Sequence, residues 1–177
     1  MTTLNPPNAS RAASLVLTLA IAGCSQYIDP NVPEPIRPMV EPHGSQEYLL
    51  YQPSNYDRSL SWPLVIACPS SYPDSPDRQI RAWTALAESR GFLVAVPALA
   101  STKSTWSRQL AEHVARLRHD EAHILAMVQH IRGAYNVSEE RIFIYGWAKG
   151  ALPALRTGLR HPRLFRSVAV MRPKLDT

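Results

Sequence analysis

The stretch Ile142-Phe143-Ile144-Tyr145-Gly146-Trp147-Ala148-Lys149-Gly150-Ala151 decides how the rest of the chain is read. Its four leading apolar residues form a short continuous run, the pattern of a strand covered on both faces. Leu152 to Arg160 then reads as a helix. Only Gly146 to Gly150 separate the two, so the chain turns sharply. Glycine is required at both ends of that turn because sheet and helix approach closely there and a Cβ would clash.

Working outward, the segment Tyr135 to Arg141 leads into the strand, and His161-Pro162-Arg163-Leu164-Phe165 separates the helix from another apolar run at Ser167-Val168-Ala169-Val170. Further upstream, Leu64-Val65-Ile66-Ala67-Cys68 and Phe92-Leu93-Val94-Ala95-Val96 are two more buried-strand patterns. Between them, Asp77 to Arg90 places Ile80, Trp83, Leu86 and Ala87 at helical spacing, and Gly91 supplies the stop. Strand, helix, strand with buried strands predicts a parallel sheet carrying helices on its faces. Tyr48-Leu49-Leu50-Tyr51 reads as a short strand, followed by a turn at Pro53 to Asp57.

A further helix is predicted from about Asp120 to Ala134. His119, His123 and His130 recur along it at a spacing that suggests an imidazole row. Ile124, Val128 and Ile131 define its buried stripe, which puts the three His on the opposite, solvent-facing side and argues against a metal site. His113 lies before this helix in a poorly patterned stretch. No cofactor and no metal are expected.

The N-terminus is read apart from the fold. Arg11 precedes the apolar run Leu15 to Ala22, too short to span a bilayer but fit for a signal-peptide core. The run ends in Ile21-Ala22-Gly23-Cys24-Ser25, which resembles the bacterial lipoprotein signal. That resemblance implies a signal peptide over residues 1–23, a lipid on Cys24, membrane attachment through that lipid, and a place in the bacterial cell envelope, periplasm-facing or at the outer membrane. Pro30, Pro33, Pro35, Pro38 and Pro42 then predict an extended tether over 24–46, with His43-Gly44 as a turn, before a domain over 47–177.

Composition narrows the classes. The chain has 177 residues, 45% hydrophobic and 19% charged, with a formal net charge of +5. That is one domain's worth of chain with enough apolar content for a core. Two Cys, one of them at the lipidation position, exclude a disulfide scaffold. No block of Lys and Arg marks a nucleic-acid arm.

The strand-turn-helix with Gly146 and Gly150, together with Tyr48 to Tyr51, Trp62 to Ile66, Gly91 to Val94 and His161 to Phe165, resembles the α/β-hydrolase superfamily. Within it, the secreted polyhydroxybutyrate-depolymerase and feruloyl-esterase-like branch is the most similar. The resemblance covers residues 47 to 171 and implies a three-layer α/β fold with a mostly parallel sheet, ending after the strand that follows the elbow helix. It also implies that the elbow Gly146-Trp147-Ala148-Lys149-Gly150 should carry a nucleophilic Ser at its centre. Here that position is Ala148, whose methyl cannot form an acyl-enzyme. The oxyanion loop departs as well: Pro69 has no N–H to donate, and Ser70 stands where relatives have Gly.

The remaining members of a triad would follow the nucleophile as an acid and then a His. After Ala148 the candidates are His161 and Asp176, in reversed order, and His161 reads as a helix cap. Cys68 reads as a core residue, and Lys149, Ser70, Ser71 and Tyr72 read as loop residues around the old pocket. Three functions follow as expectations. The first is a non-catalytic envelope lipoprotein that binds through the inherited cleft or the sheet edge, with self-association through the edge strand near Val168 as one form. The second is an esterase-type carboxylic ester hydrolase with catalytic groups outside this chain. The third is a truncated remnant with little function.

Overall fold

The computed structural model describes residues 36–71, 75–103 and 110–173. Cys24, the expected signal peptide over 1–23, Tyr72 and Asp176 lie outside the described residues. Six strands form one sheet: β1 (Ile36–Val40), β2 (Glu47–Tyr51), β3 (Trp62–Cys68), β4 (Leu93–Pro97), β5 (Val137–Trp147) and β6 (Ser167–Met171). Their order is β1-β2-β4-β3-β5-β6. The pairs β1–β2 and β2–β4 are antiparallel, while β4, β3, β5 and β6 run parallel.

Two helical layers sandwich this sheet. Helix α1 (Pro76–Arg90) starts where the Ser75 hydroxyl accepts the Arg78 N–H at 3.4 Å, with Pro76 preset for the first turn. It stops at Gly91, whose φ of +70° lets its N–H close on the Ala87 carbonyl. Ile80 and Ala87 press into one sheet face against Tyr51, Ala67, Val94 and Val96. The short helix α2 (Ala100–Lys103) leads towards α3 (Leu110–Ala134), which packs with α4 (Ala151–Arg160) on the other face. There Ile124, Met127, Ile131 and Ala154 meet Leu64, Ile66, Ile142 and Ile144. Each of these Ile, Leu and Met side chains, fully removed from water, contributes about 1.5–3 kcal/mol of gross burial energy. The alternation of buried strands and helices over residues 62–171 is the three-layer architecture that the pattern predicts.

Three expectations are corrected. The tether does not extend to residue 46, because Ile36–Val40 forms the outermost strand, in register from Ile36 opposite Tyr51 to Val40 opposite Glu47. Pro38 is tolerated since an edge strand can spare one N–H. A turn follows, and the buried Glu41 carboxylate organises it by accepting main-chain N–H groups from His43, Gly44 and Gln46. Burial pushes the Glu41 carboxyl up, but the three donors outweigh it and hold it below its ordinary range.

The second correction is length: α3 begins at Leu110 rather than near Asp120. The third concerns the imidazole row, only part of which faces solvent: His119 is exposed as expected, whereas His130 is half-buried and His123 is buried. His123 is 3% exposed. His130 Nδ1 lies 3.0 Å from the Tyr48 hydroxyl, and His119 Nε2 lies 3.1 Å from the Gln46 amide nitrogen. The β1–β2 hairpin covers part of the flank of α3 that helical periodicity assigns to water, so His123 and His130 sit in a polar seam. Among the described residues no group of His, Cys, Asp and Glu is arranged to hold a metal ion.

Candidate functional site

β5 leaves the sheet through Trp147 in extended conformation, and the next residue, Ala148, has φ of +48°. A 3-10 turn over Ala148–Gly150 runs directly into α4, with the Ala151 N–H closing on the Ala148 carbonyl. A left-handed L-residue carries roughly 1–2 kcal/mol of strain, and such strain persists only where its surroundings impose it. Those surroundings are the two glycines. A Cβ on Gly146 would sit 2.5 Å from the Gly150 carbonyl and 2.6 Å from the Ala151 Cα. On Gly150 it would collide with the Cys68 carbonyl and lie 2.7 Å from that of Pro69. The elbow and the loop after β3 are thus locked backbone to backbone, with the residue at position 148 at the apex.

That loop carries the second part of the site. Ser70 is buried, and its hydroxyl accepts the Lys149 main-chain N–H at 3.4 Å. The N–H that follows the apex of such an elbow is an oxyanion donor. Here it already has an acceptor, and Pro69 offers no donor from the facing loop. Cys68 ends β3 completely buried, and burial, helped by the nearby Asp120 carboxylate, pushes its thiol far up. A thiol held neutral is a poor nucleophile.

His161 sits far from the apex. It caps α4 at the opposite end, with its N–H on the Thr157 carbonyl, and a ten-residue helix separates it from Ala148 by about 15 Å. Its Nε2 lies 2.9 Å from Glu121 Oε1. Arg160 Nε reaches the same oxygen at 2.9 Å, and Arg156 Nε lies 2.8 Å from Oε2. Burial pushes the Glu121 carboxyl up, but His161, Arg160 and Arg156 together hold it below its ordinary range. This cluster ties α3 to α4 and does not face the elbow. Sequence reading missed it, along with buried Asp120, which accepts the N–H groups of Ala100 at 2.7 Å and Ser101 at 2.9 Å. Both acids lie beside the apolar stripe of a long amphipathic helix, where no spacing rule separates them from ordinary polar positions.

A cleft of about 460 Å³ opens next to the elbow on the α1 face of the sheet, between Trp83 and Leu86 of α1 and Tyr145 and Trp147 of β5. Trp83 and Tyr145 meet edge to face with ring centroids 5.2 Å apart. Ala148 and Ser70 do not line this cleft.

The sheet order, the parallel core and the strained apex between two glycines define the α/β-hydrolase fold. Solved structures of that superfamily match it. The ferulic acid esterase of the anaerobic fungus Anaeromyces mucronatus superposes with a TM-score of 0.61 at 15% identity, over 78% of this chain and 57% of the esterase. Dipeptidyl peptidase 4 of Porphyromonas gingivalis gives 0.55 at 20% identity, over 73% of this chain and 19% of the peptidase. The acetyl xylan esterase of Aspergillus awamori gives 0.52 at 19% identity, over 73% and 48%. The chain therefore spans less than two thirds of each of these proteins. No protein-family profile matches the sequence, and no curated protein matches it.

Proposed function

We propose that this chain is an envelope lipoprotein whose hydrolase-fold domain binds rather than hydrolyses. One observation carries the reading: Ala148, a residue with no nucleophilic atom, occupies the strained apex at φ +48°. The fold keeps the elbow geometry and lacks the group that the geometry serves. Losing such a nucleophile typically lowers turnover by about a millionfold. The occupied Lys149 N–H and the absence of a donor at Pro69 point the same way.

The lipoprotein part rests on the order of apolar run, small residues and Cys24. Ser25 after the lipidated Cys favours the outer membrane in a diderm cell. Several acyl chains at about 0.8 kcal/mol per buried methylene would make the attachment stable. Among the described residues no helix is long and apolar enough to cross a membrane. Metabolic labelling with a fatty acid should tag the wild-type chain and leave Cys24→Ser unlabelled.

The catalytic question is tested with the purified full chain in mild detergent. Hydrolysis of short acyl esters should not exceed that of a folded control protein, and a fluorophosphonate probe, which marks activated serines, should leave the chain unmarked. Stoichiometric marking at Ser70 or Ser71 would establish the esterase reading instead.

A further inference from the structure

We propose that the β1–β2 hairpin is a latch released by protonation, with the buried His123 imidazole of α3 as its trigger and the lifting of β1 and its turn as its response.

Three imidazoles of α3 reach the hairpin, and two of them have partners that serve either protonation state. The Tyr48 hydroxyl, 3.0 Å from His130 Nδ1, donates to a neutral ring and accepts from a charged one. The Gln46 amide, 3.1 Å from His119 Nε2, offers its oxygen in place of its nitrogen when it turns over. His123 has no such partner. It is buried, and neither of its ring nitrogens closes a well-formed hydrogen bond. The Glu47 carbonyl beside the ring already accepts the Ala98 N–H at 3.1 Å.

The charged groups around His123 pull in opposite directions. Glu41 in the turn and Asp120 on α3 attract a proton to the ring, while His119 opposes it. Both carboxylates are already engaged. Glu41 takes the N–H groups of His43, Gly44 and Gln46, and Asp120 takes those of Ala100 and Ser101. Neither can close on an imidazolium without giving up main-chain donors. Of the other ionisable groups here, His43 and Glu47 are exposed, and the Tyr48 hydroxyl stays neutral because burial pushes it up to about 12. Burial wins at His123 and holds its imidazole below 6.5.

A charged His123 is relieved by water, and the hairpin is the element that yields. Helix α3 is fixed by Ile124, Met127 and Ile131, all fully buried. No residue of β1 is buried, and among the described residues it pairs with β2 alone. Residues 42–45 of the turn are exposed, and Ser45 sits at φ +52°, a strained conformation that lifting relaxes. Few buried contacts and an exposed edge mark the parts of a fold that open first. Glu41 moves without losing its donors, since all three belong to the turn. Its carboxyl titrates below its ordinary range, so the response between pH 7 and pH 5 belongs to the imidazole.

β1 leads from the core towards Cys24. An open latch therefore adds residues 36–46 to that connection, up to roughly 40 Å of extended chain. This consequence rests on the lipoprotein reading; the latch itself does not.

The test is hydrogen exchange on the full chain in mild detergent at pH 7 and pH 5, corrected for the intrinsic pH dependence of exchange. Protection of residues 37–46 should fall by about tenfold at pH 5, as one proton taken up on opening requires. At both pH values residues 62–68 and 142–147 should stay at least about tenfold better protected than 37–46, which marks the opening as local. His123→Gln should keep its pH 7 protection at pH 5, whereas His119→Gln and His130→Gln should open as wild type does. Unchanged protection of 37–46 at pH 5, exchange of 37–46 in step with the core strands, or a loss that persists in His123→Gln overturns the proposal. Abolition of the loss by His119→Gln or His130→Gln overturns it as well, and wild type with these two variants decides if His123→Gln does not fold. Cys24→Ser is run beside wild type. The latch is expected in both, so failure of the lipoprotein reading leaves the exchange result standing.

Discussion

The Ser70 hydroxyl and the Lys149 main-chain N–H lie 3.4 Å apart, joining the loop after β3 to the elbow through the group that a hydrolase would aim at an oxyanion. Restoring a nucleophile is therefore expected not to restore catalysis. Among the described residues the one His after position 148 is His161, which is bound to Glu121 at the far end of α4 and does not reach a hydroxyl placed there in Ala148→Ser. Ala148→Ser, and Ala148→Ser combined with Ser70→Gly to release the donor, should both stay within about tenfold of wild type in ester hydrolysis. A rise of a thousandfold in either would mean that a base is present.

Ala148 itself predicts a gain in stability. Glycine adopts φ of +48° without the left-handed strain, worth roughly 1–2 kcal/mol, while the added freedom of the unfolded chain takes back about 0.4–1 kcal/mol. Ala148→Gly should thus raise the unfolding free energy by about 0.5–1 kcal/mol in a denaturant titration. A β-branched residue there should lower it. If Ala148→Gly proves destabilising, the apex is not strained.

The two elbow glycines were legible in sequence because a strand and a helix separated by five residues leave few geometries. The parallel core was legible for a related reason: runs such as Leu64 to Cys68 are buried on both faces and need no periodicity to be recognised. The edge was not. Pro38 and its neighbours read as unpaired chain, yet an edge strand tolerates proline, and only the register with Glu47–Tyr51 reveals the pairing. His123 was misplaced because helical periodicity identifies one buried stripe, whereas α3 is covered on its flank as well by the turn that Glu41 organises. At the site, the missing Ser could be read from position 148, but Ser70's contact with Lys149 joins residues far apart in the chain and leaves no local signal.

The glycines give a graded prediction. Gly150→Ala drives a methyl into the Cys68 and Pro69 carbonyls, and Gly146→Ala into Gly150 and Ala151, neither of which is a flexible side-chain end. Each should lower stability by about 3 kcal/mol or more, at or beyond the upper end of ordinary overpacking. Gly133, in the last turn of α3, has nothing within 4 Å of the added atom. Gly133→Ala should therefore raise stability by up to about 1 kcal/mol. Equal effects at the three positions would rule out the close backbone contact as the cause.

Glu121 predicts a loss confined to one pH window. Replacing it with Gln removes a charged partner from Arg156, Arg160 and His161 and should lower stability near neutral pH by about 1.5–3 kcal/mol. Because the folded-state carboxyl is held below its ordinary value of 4.5, its contribution is fully present above that value and fades as pH falls through the lower, folded one. Wild type and Glu121→Gln should therefore differ at pH 7 and converge in strong acid, as followed by urea melts across pH. A constant difference at all pH values would assign the effect to packing.

His123 should set the onset of acid sensitivity. Burial pushes its imidazole below the ordinary 6.5, although the Glu47 main chain and the Glu41 and Asp120 carboxylates pull it up and neighbouring His119 pulls it further down. The unfolded chain consequently takes up this proton first. The neutral ring is compatible with the fold above pH 6.5, and stability declines as pH falls from there towards the lower folded-state value. The carboxyl groups of Glu41, Glu88 and Glu121 are all held below 4.5, so their contributions are lost only at lower pH and the two windows stay separate. Wild type should lose melting temperature between pH 7 and pH 5, and His123→Gln, which keeps a polar group of similar length without a titrating one, should remove most of that slope while leaving the loss below pH 4. Identical slopes for the two proteins between pH 7 and pH 5 would show that the seam beneath the β1–β2 hairpin accepts a charged imidazole.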